Sequence, residues 1–271
     1  MNLTVDIGGI RIGLDGLPPG LEAAARERYA LFLSTETPHL ALSVEVVEGD
    51  RPEQELPLIE RRGERSYGVQ YRDVTAEIDL EAGRGRATCA DSTYRVDSLL
   101  RICTTLLALE QEAVLLHSSG VRVGARGEQA LICFGPSGVG KTTVARSVAS
   151  EKVLCDEMML VRVDAEDRVT AAGTPFHGDL ADCRPGILPV AALVRLRQGD
   201  ANALTPLSDA AATHIFLNAV LFFSRDEALA EKLLALALRI CHRRTYTLTF
   251  QRDTHVPTFV EGEIALGTDV Q

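Results

Sequence analysis

The sequence predicts an α/β protein: a mixed sheet with helices over residues 113–271, preceded by a small α+β unit over residues 1–112. Three observations carry this prediction. Strands and helices follow one another in an order that mixes antiparallel hairpins with crossovers instead of alternating strictly. A short apolar run, QALICF, passes directly into a glycine-rich turn and then a helix. Upstream, period-two alternation dominates until a single long stretch of 3.6-residue periodicity, TYRVDSLLRICTTLLALEQE, bridges into the second unit.

In the first unit, LTVDIGGIRIGLDG alternates about a hairpin at Gly8-Gly9, and Leu21 to Leu33 has helical apolar spacing. HLALSVEVVE reads as a strand and SYGVQYRDVTAEIDLEAGRGRATCA as two or three more. Between them Gly49 to Gly63, polar and with two prolines, reads as an exposed loop. The second unit opens with AVLLHSSGVRVG and a turn at Ala125 to Glu128, followed by QALICF, the glycine-rich turn and the helix TVARSVAS. A strand VLCDEMMLVRV, a turn at Asp164 to Asp167, a strand RVTAAG, the loop TPFHGDLADCRPG and a strand VAALVRLRQ come next. Two helices over about Leu207 to Cys241 and a last strand, TYTLTFQRD, complete the expectation.

Composition narrows the function. The 271 residues are 46% hydrophobic and 24% charged, with a net charge of −10, which describes a globular chain long enough to bury a core. The acidic balance, without a local basic patch, argues against nucleic acid as a partner. No basic, then apolar, leader opens the chain and no apolar run nears the length of a membrane helix, so neither export nor a membrane partner is expected. Six cysteines without a C-x-x-C pair fit reduced, buried thiols and a cytoplasmic location. Arginine outnumbers lysine 25 to 3, so the position of each lysine is informative.

One of those lysines stands in GPSGVGKT, Gly135 to Thr142, which fits G-x-x-x-x-G-K-[ST] between a strand and a helix. Glycines there let consecutive N–H groups turn inward, and the helix start adds partial positive charge beneath a phosphate. Gly135, Pro136, Ser137, Gly138, Val139, Gly140, Lys141, Thr142 and Thr143 are therefore the expected nucleotide-binding residues. Lys141 would reach the β- and γ-phosphates, and the Thr142 hydroxyl would ligate Mg²⁺. Asp156 and Glu157 follow fifteen and sixteen residues after Lys141, flanked by VLC and MMLV. A strand sends alternate side chains to opposite faces, so both acids can serve one centre only if the chain bends or ends there. One acid on the metal and the other on the acceptor would suit such a bend. His117, His177 and Cys155 lack metal-ligand spacing, and Cys155 reads as a core thiol.

Taken in order, LLHSSGV, GPSGVGKTT, VLCDEMMLV, GTPFHGDL and TPLSDAAATHIFLNAV resemble the HPr serine kinase/phosphorylase superfamily over about Val114 to Asp253. That family's fold is similar to the nucleotide-binding core of ATP-dependent phosphoenolpyruvate carboxykinase. The resemblance implies an ATP- and Mg²⁺-dependent kinase transferring the γ-phosphoryl group to a serine or threonine hydroxyl of an acceptor protein or peptide. Catalytic residues would be Lys141, Asp156 as general base, and His117, which orients the base or tunes it. The metal would be held by Thr142, Glu157 and Asp179. The chain has Asp-Glu where the family has Asp-Asp, which lengthens one arm and leaves the division of roles open. It also lacks the Ile-Arg-Gly-rich stretch of the bifunctional enzymes, which separates it from HPr itself and from the phosphorylase reaction. A homo-oligomer is a further expectation from the resemblance. Two other functions remain open: a nucleotide-sensing scaffold without transfer, and a kinase for a small molecule such as free serine or a carboxylate.

Overall fold

In a computed structural model, residues 3–48, 56–180 and 183–268 are described. The chain divides into two compact units, Met1–Gln111 with Phe222–Leu233, and Glu112–Leu221 with Leu234–Gln271.

The first unit contains β1 (Leu3–Ile7), β2 (Ile10–Asp15), α1 (Pro19–Arg28), β3 (Leu40–Val47), β4 (Leu58–Arg61), β5 (Ser66–Tyr71), β6 (Val74–Asp79), β7 (Arg84–Ala90) and α2 (Thr93–Glu110). Its strands form one mixed sheet in the order β1-β2-β3-β7-β6-β5-β4. β1 and β2 are the expected hairpin, with Ile7 opposite Ile10 and both glycines of the turn in the left-handed region. β3 runs parallel to both β2 and β7, and β7, β6, β5 and β4 are an antiparallel meander.

α1 ends at Arg28 and gives way to a 3-10 turn at Ala30–Phe32, so helical spacing to Leu33 overstated one continuous helix. The expected loop from Gly49 to Gly63 contains β4, a short strand that pairs with β5 and buries Ile59; residues 49–55 lie outside the described part. α2 starts on Ser92, whose hydroxyl accepts the Tyr94 N–H, and buries residues on every face, among them Leu99, Leu100, Cys103 and Leu107.

Among the described residues of this unit one charge is buried. Asp97, 5% exposed, accepts hydrogen bonds from Tyr29 Oη at 3.2 Å, Arg28 Nε at 3.1 Å and Arg101 Nε at 2.9 Å. Burial, and then the Asp97 charge, push the Tyr29 phenol well above its ordinary range, so it stays a donor. Asp97→Ala strands these donors and is expected to lower stability by about 3 kcal/mol, measured by urea denaturation.

The second unit contains β8 (Ala113–Val123), β9 (Gln129–Phe134), α3 (Lys141–Arg146), β10 (Val153–Cys155), β11 (Met158–Val163), β12 (Val169–Gly173), β13 (Ile187–Gln198), β14 (Ala203–Pro206), α4 (Asp209–Leu217) and β15 (Thr245–Phe250), and ends in α6 (Val256–Thr268). The boundary between units falls within α5 (Glu227–Cys241). Four expectations change here. The strand expected over VLCDEMMLVRV is two, β10 and β11, broken at Asp156–Glu157. The helix expected over TVARSVAS is α3, which starts earlier and stops at Arg146. β14, a short edge strand, pairs with β15 where no strand was expected. The chain does not close on β15, because α6 follows and packs Val256 and Val260 into the core with Val144, Leu196, Leu248 and Phe250.

β8 organises this unit because it changes partner midway. Its first half, Ala113 to His117, pairs with β11, and its second half, Ser118 to Val123, pairs with β9, with β10 on Gly120 and Val121. β13 changes partner likewise, from β12 to β9 and β15. The result is a mixed sheet with a crossing point at His117–Ser118. Among the described residues no helix is long and apolar enough to cross a membrane.

Candidate active site

The crossing point on β8 brings together segments far apart in sequence. Ser118 pairs with Phe134, the last residue of β9, so the glycine-rich turn leaves the sheet beside it. Ser118 also donates its N–H to Glu157 O at 3.0 Å, and Met158 pairs with His117. β10 ends at Cys155 against Gly120, and β11 begins at Met158. Asp156 and Glu157 therefore occupy the gap in which the chain steps from one half of β8 to the other. This is the bend that two adjacent acids need to face one centre.

In the turn, Gly135, Gly138 and Gly140 all have positive φ, at 149°, 76° and 119°. A side chain at Gly140 would also meet Phe250 at 3.3 Å, so the turn is both left-handed and pressed onto the sheet. Pro136, Ser137 and Gly138 form its exposed arc. Lys141, 7% exposed, folds back over the turn and donates from Nζ to Gly135 O at 3.0 Å and Pro136 O at 3.2 Å. Burial lowers the Lys141 pKa, and the nearby Glu157 charge opposes that shift. Thr142 and Thr143 follow in the first turn of α3, Thr142 half-buried and Thr143 exposed.

The two acids are held differently. Asp156 is 1% exposed; its Oδ1 accepts the Gly178 N–H at 2.9 Å and its Oδ2 the Leu180 N–H at 3.0 Å. The Glu157 side chain is 32% exposed, with Oε2 3.6 Å from His117 Nε2. His117 thus comes to Glu157, while Asp156 takes its partners from residues 178–180.

Gly178 marks where the carboxylates converge. A Cβ there would lie 3.2 Å from Asp156 Oδ2 and 3.3 Å from Glu157 Oε2. Gly178→Ala would crowd both oxygens, and Asp156 is pinned and cannot yield. The substitution is expected to lower stability by about 1–3 kcal/mol, as overpacking of a tight site does, measured by thermal denaturation.

Asp179 is turned elsewhere. Its carboxylate is 75% exposed and lies 3.4 Å from Arg146 Nη2, so the structure does not bring it onto the acid pair.

Sequence reasoning missed two features. A cavity of about 710 Å³ lies beside the glycine turn, lined by Gly135, Pro136, Ser137, His117, Arg195 and His214 among others. Arg195 pairs with Phe134 across β13 and β9, which sets a guanidinium next to the start of the turn. The other feature is Cys183, in contact with Cys155 and Asp156. Burial disfavours ionising Cys155, but hydrogen bonds from Cys183, the Glu157 and Met158 N–H groups and Thr174 outweigh it and lower its pKa. The Cys183 thiol is pushed up by the bond it donates to Cys155 and by burial. Cys155 beside the acid pair was visible in the sequence and read as a core thiol; the approach of Cys183 was not.

The residues fit a metal-bound nucleotide. The left-handed turn frees backbone N–H groups, a cation crosses it, a threonine follows, and two carboxylate oxygens converge beside Gly178.

No family model and no curated protein matches the chain. Among solved structures, the HPr(Ser) kinase/phosphatase from Coxiella burnetii is similar at a TM-score of 0.30 and 8% identity, over 57% of this chain and 95% of that one.

Proposed function

We propose that the chain is a phosphotransferase that moves the γ-phosphoryl group of Mg·ATP to a hydroxyl of a protein or peptide. The observation that supports this most is the meeting, at one point of β8, of the glycine turn with Lys141 and a broken strand whose two acids converge. Phosphoryl transfer asks the protein mainly for positioning and charge. Backbone N–H groups of residues 137–142 hold phosphate oxygens, and Lys141 gives up the Gly135 and Pro136 carbonyls to neutralise charge on them. Thr142 and Glu157 hold Mg²⁺, which when bound screens the phosphate oxygens and polarises the transferring group. Asp156, oriented by the Gly178 and Leu180 N–H groups, accepts the proton of the acceptor hydroxyl. His117 orients Glu157 instead of the base. Asp179 stays outside the metal set because it faces Arg146.

One observation favours a second function. Asp156 is almost fully buried, with both oxygens bound to backbone N–H groups, as a purely structural carboxylate would be. A protein of that kind would bind nucleotide as a sensor without transferring phosphate. The two separate in one experiment, in which wild-type protein and γ-labelled Mg·ATP are offered a lysate, a serine/threonine peptide library and free serine. Label in protein or peptide supports the proposal, and label in serine alone moves the acceptor to a small molecule. Tight nucleotide binding with no labelled product favours the sensor.

A further inference from the structure

Cys155 ends β10 immediately before the acid pair, and Arg184 donates its N–H to Leu154 O at 3.1 Å. That bridge sets Cys155 opposite Cys183, with their Sγ atoms 3.2 Å apart. All six cysteines are free and buried, and among the described residues no other two are in such contact. The thiols also hold the segment that positions Asp156. Cys155 Sγ donates to Phe176 O at 3.5 Å, and the Cys183 thiol faces Leu180 O at 3.8 Å and Asp156 Oδ1 at 3.9 Å. Phe176 and Leu180 bracket the N–H groups of Gly178 and Leu180 on which the Asp156 carboxylate rests.

We propose that Cys155 and Cys183 are an oxidisable dithiol that closes to a disulfide and thereby withdraws Asp156 from the site. The oxidant is a peroxide or a low-molecular-weight disulfide. With hydrogen peroxide, one sulfur attacks the O–O bond to give a sulfenic acid and water; the second sulfur displaces the sulfenic oxygen as a second water, forming the S–S bond. Two thiols are oxidised by two electrons and one peroxide is reduced to two waters. With a disulfide, two exchanges release two small thiols. Both thiols are buried, so the oxidant reaches them by local opening of the neighbouring loop, in which Gly178 and Asp179 are exposed. Closure draws the two sulfurs together and removes both S–H hydrogens, so Phe176 O loses its donor, the Cys183 sulfur leaves Leu180 O and Asp156 Oδ1, and the segment no longer holds the carboxylate in place. The effect on activity rests on Asp156 acting as proposed above; formation of the disulfide does not.

The test uses the full chain, reduced and then treated with hydrogen peroxide or oxidised glutathione, alkylated in denaturant, and mapped by peptide mass spectrometry. A peptide linking Cys155 to Cys183 is expected, with the other four cysteines alkylated. ATP turnover should fall about a hundredfold, as for an ångström-scale misplacement of a catalytic group, and return with dithiothreitol. Cys183→Ala cannot close the link, so the turnover it has when reduced, whatever its level, should be unchanged by oxidant. Full alkylation of all six cysteines, glutathione adducts without the linked peptide, or zinc retained on the reduced protein with both thiols protected would each overturn the dithiol. A linked peptide with unchanged turnover would overturn its control of Asp156. Reduced protein with no turnover counts against the phosphotransferase alone, because the link is read from the peptides.

Discussion

Asp156→Asn is expected to slow phosphoryl transfer by about 10²–10⁴-fold while leaving nucleotide affinity nearly unchanged, because the general base proposed for this position would contribute on that scale and touch the acceptor, not the nucleotide. The substitution has a structural effect that must be separated from the chemical one. The Asn amide can accept one of the two N–H groups from Gly178 and Leu180 but presents its own NH₂ to the other. One buried donor is left unpaired, which costs about 1–3 kcal/mol of stability. Thermal denaturation measures that loss, and single-turnover transfer at a temperature where both proteins are folded measures the chemistry. Glu157→Gln is the companion variant. If Glu157 holds the metal, excess Mg²⁺ restores much of its lost rate and restores none in Asp156→Asn. Rescue of Asp156→Asn by Mg²⁺ would exchange the two roles, and full transfer in Asp156→Asn would remove the base and favour the sensor.

Why the acids could be located but not fully interpreted from sequence follows from the range of the contacts involved. The glycine turn is a local pattern in which strand, left-handed glycines and helix occur within a dozen residues, so GPSGVGKT announces its own geometry. Alternation along a strand also made a bend at Asp156–Glu157 a condition for joint action, and the structure has that break. The partner exchange of β8 cannot be read locally, because the HSS interruption of its apolar run reads equally well as a polar stretch inside one strand, and the strand is buried along nearly its whole length. Gly178, Leu180 and Cys183 reach Asp156 across 22 to 27 residues of chain, and nothing in GTPFHGDL states which backbone groups will turn toward it. β4 and α6 were missed for a different reason. LIER is a four-residue stretch inside a polar, proline-containing segment and becomes a strand through pairing with β5, while Pro257 and Gly262 weaken the helical signal of a segment stabilised by packing Val256 and Val260 into the core.

Lys141→Ala carries the second large effect. The side chain is buried, already crosses the turn, and lies within electrostatic reach of Glu157, so the turn is built around a cation. Removing it takes away charge stabilisation that grows as the phosphoryl group transfers, and a loss of roughly 10²–10³ in rate is expected, as for deletion of a preorganised electrostatic group. Affinity for Mg·ATP should weaken less, by about tenfold or ~1.4 kcal/mol, because backbone N–H groups and the metal still hold the phosphates. Lys141→Arg should not restore the rate. Its wider planar fork does not fit a site where the lysine is nearly enclosed and points at two carbonyls. Calorimetry for affinity and single-turnover kinetics for rate separate the two effects. A variant that binds Mg·ATP tenfold more weakly but transfers at the wild-type rate once saturated would reduce Lys141 to a binding group. Wild-type affinity together with wild-type rate would remove the glycine turn from the site.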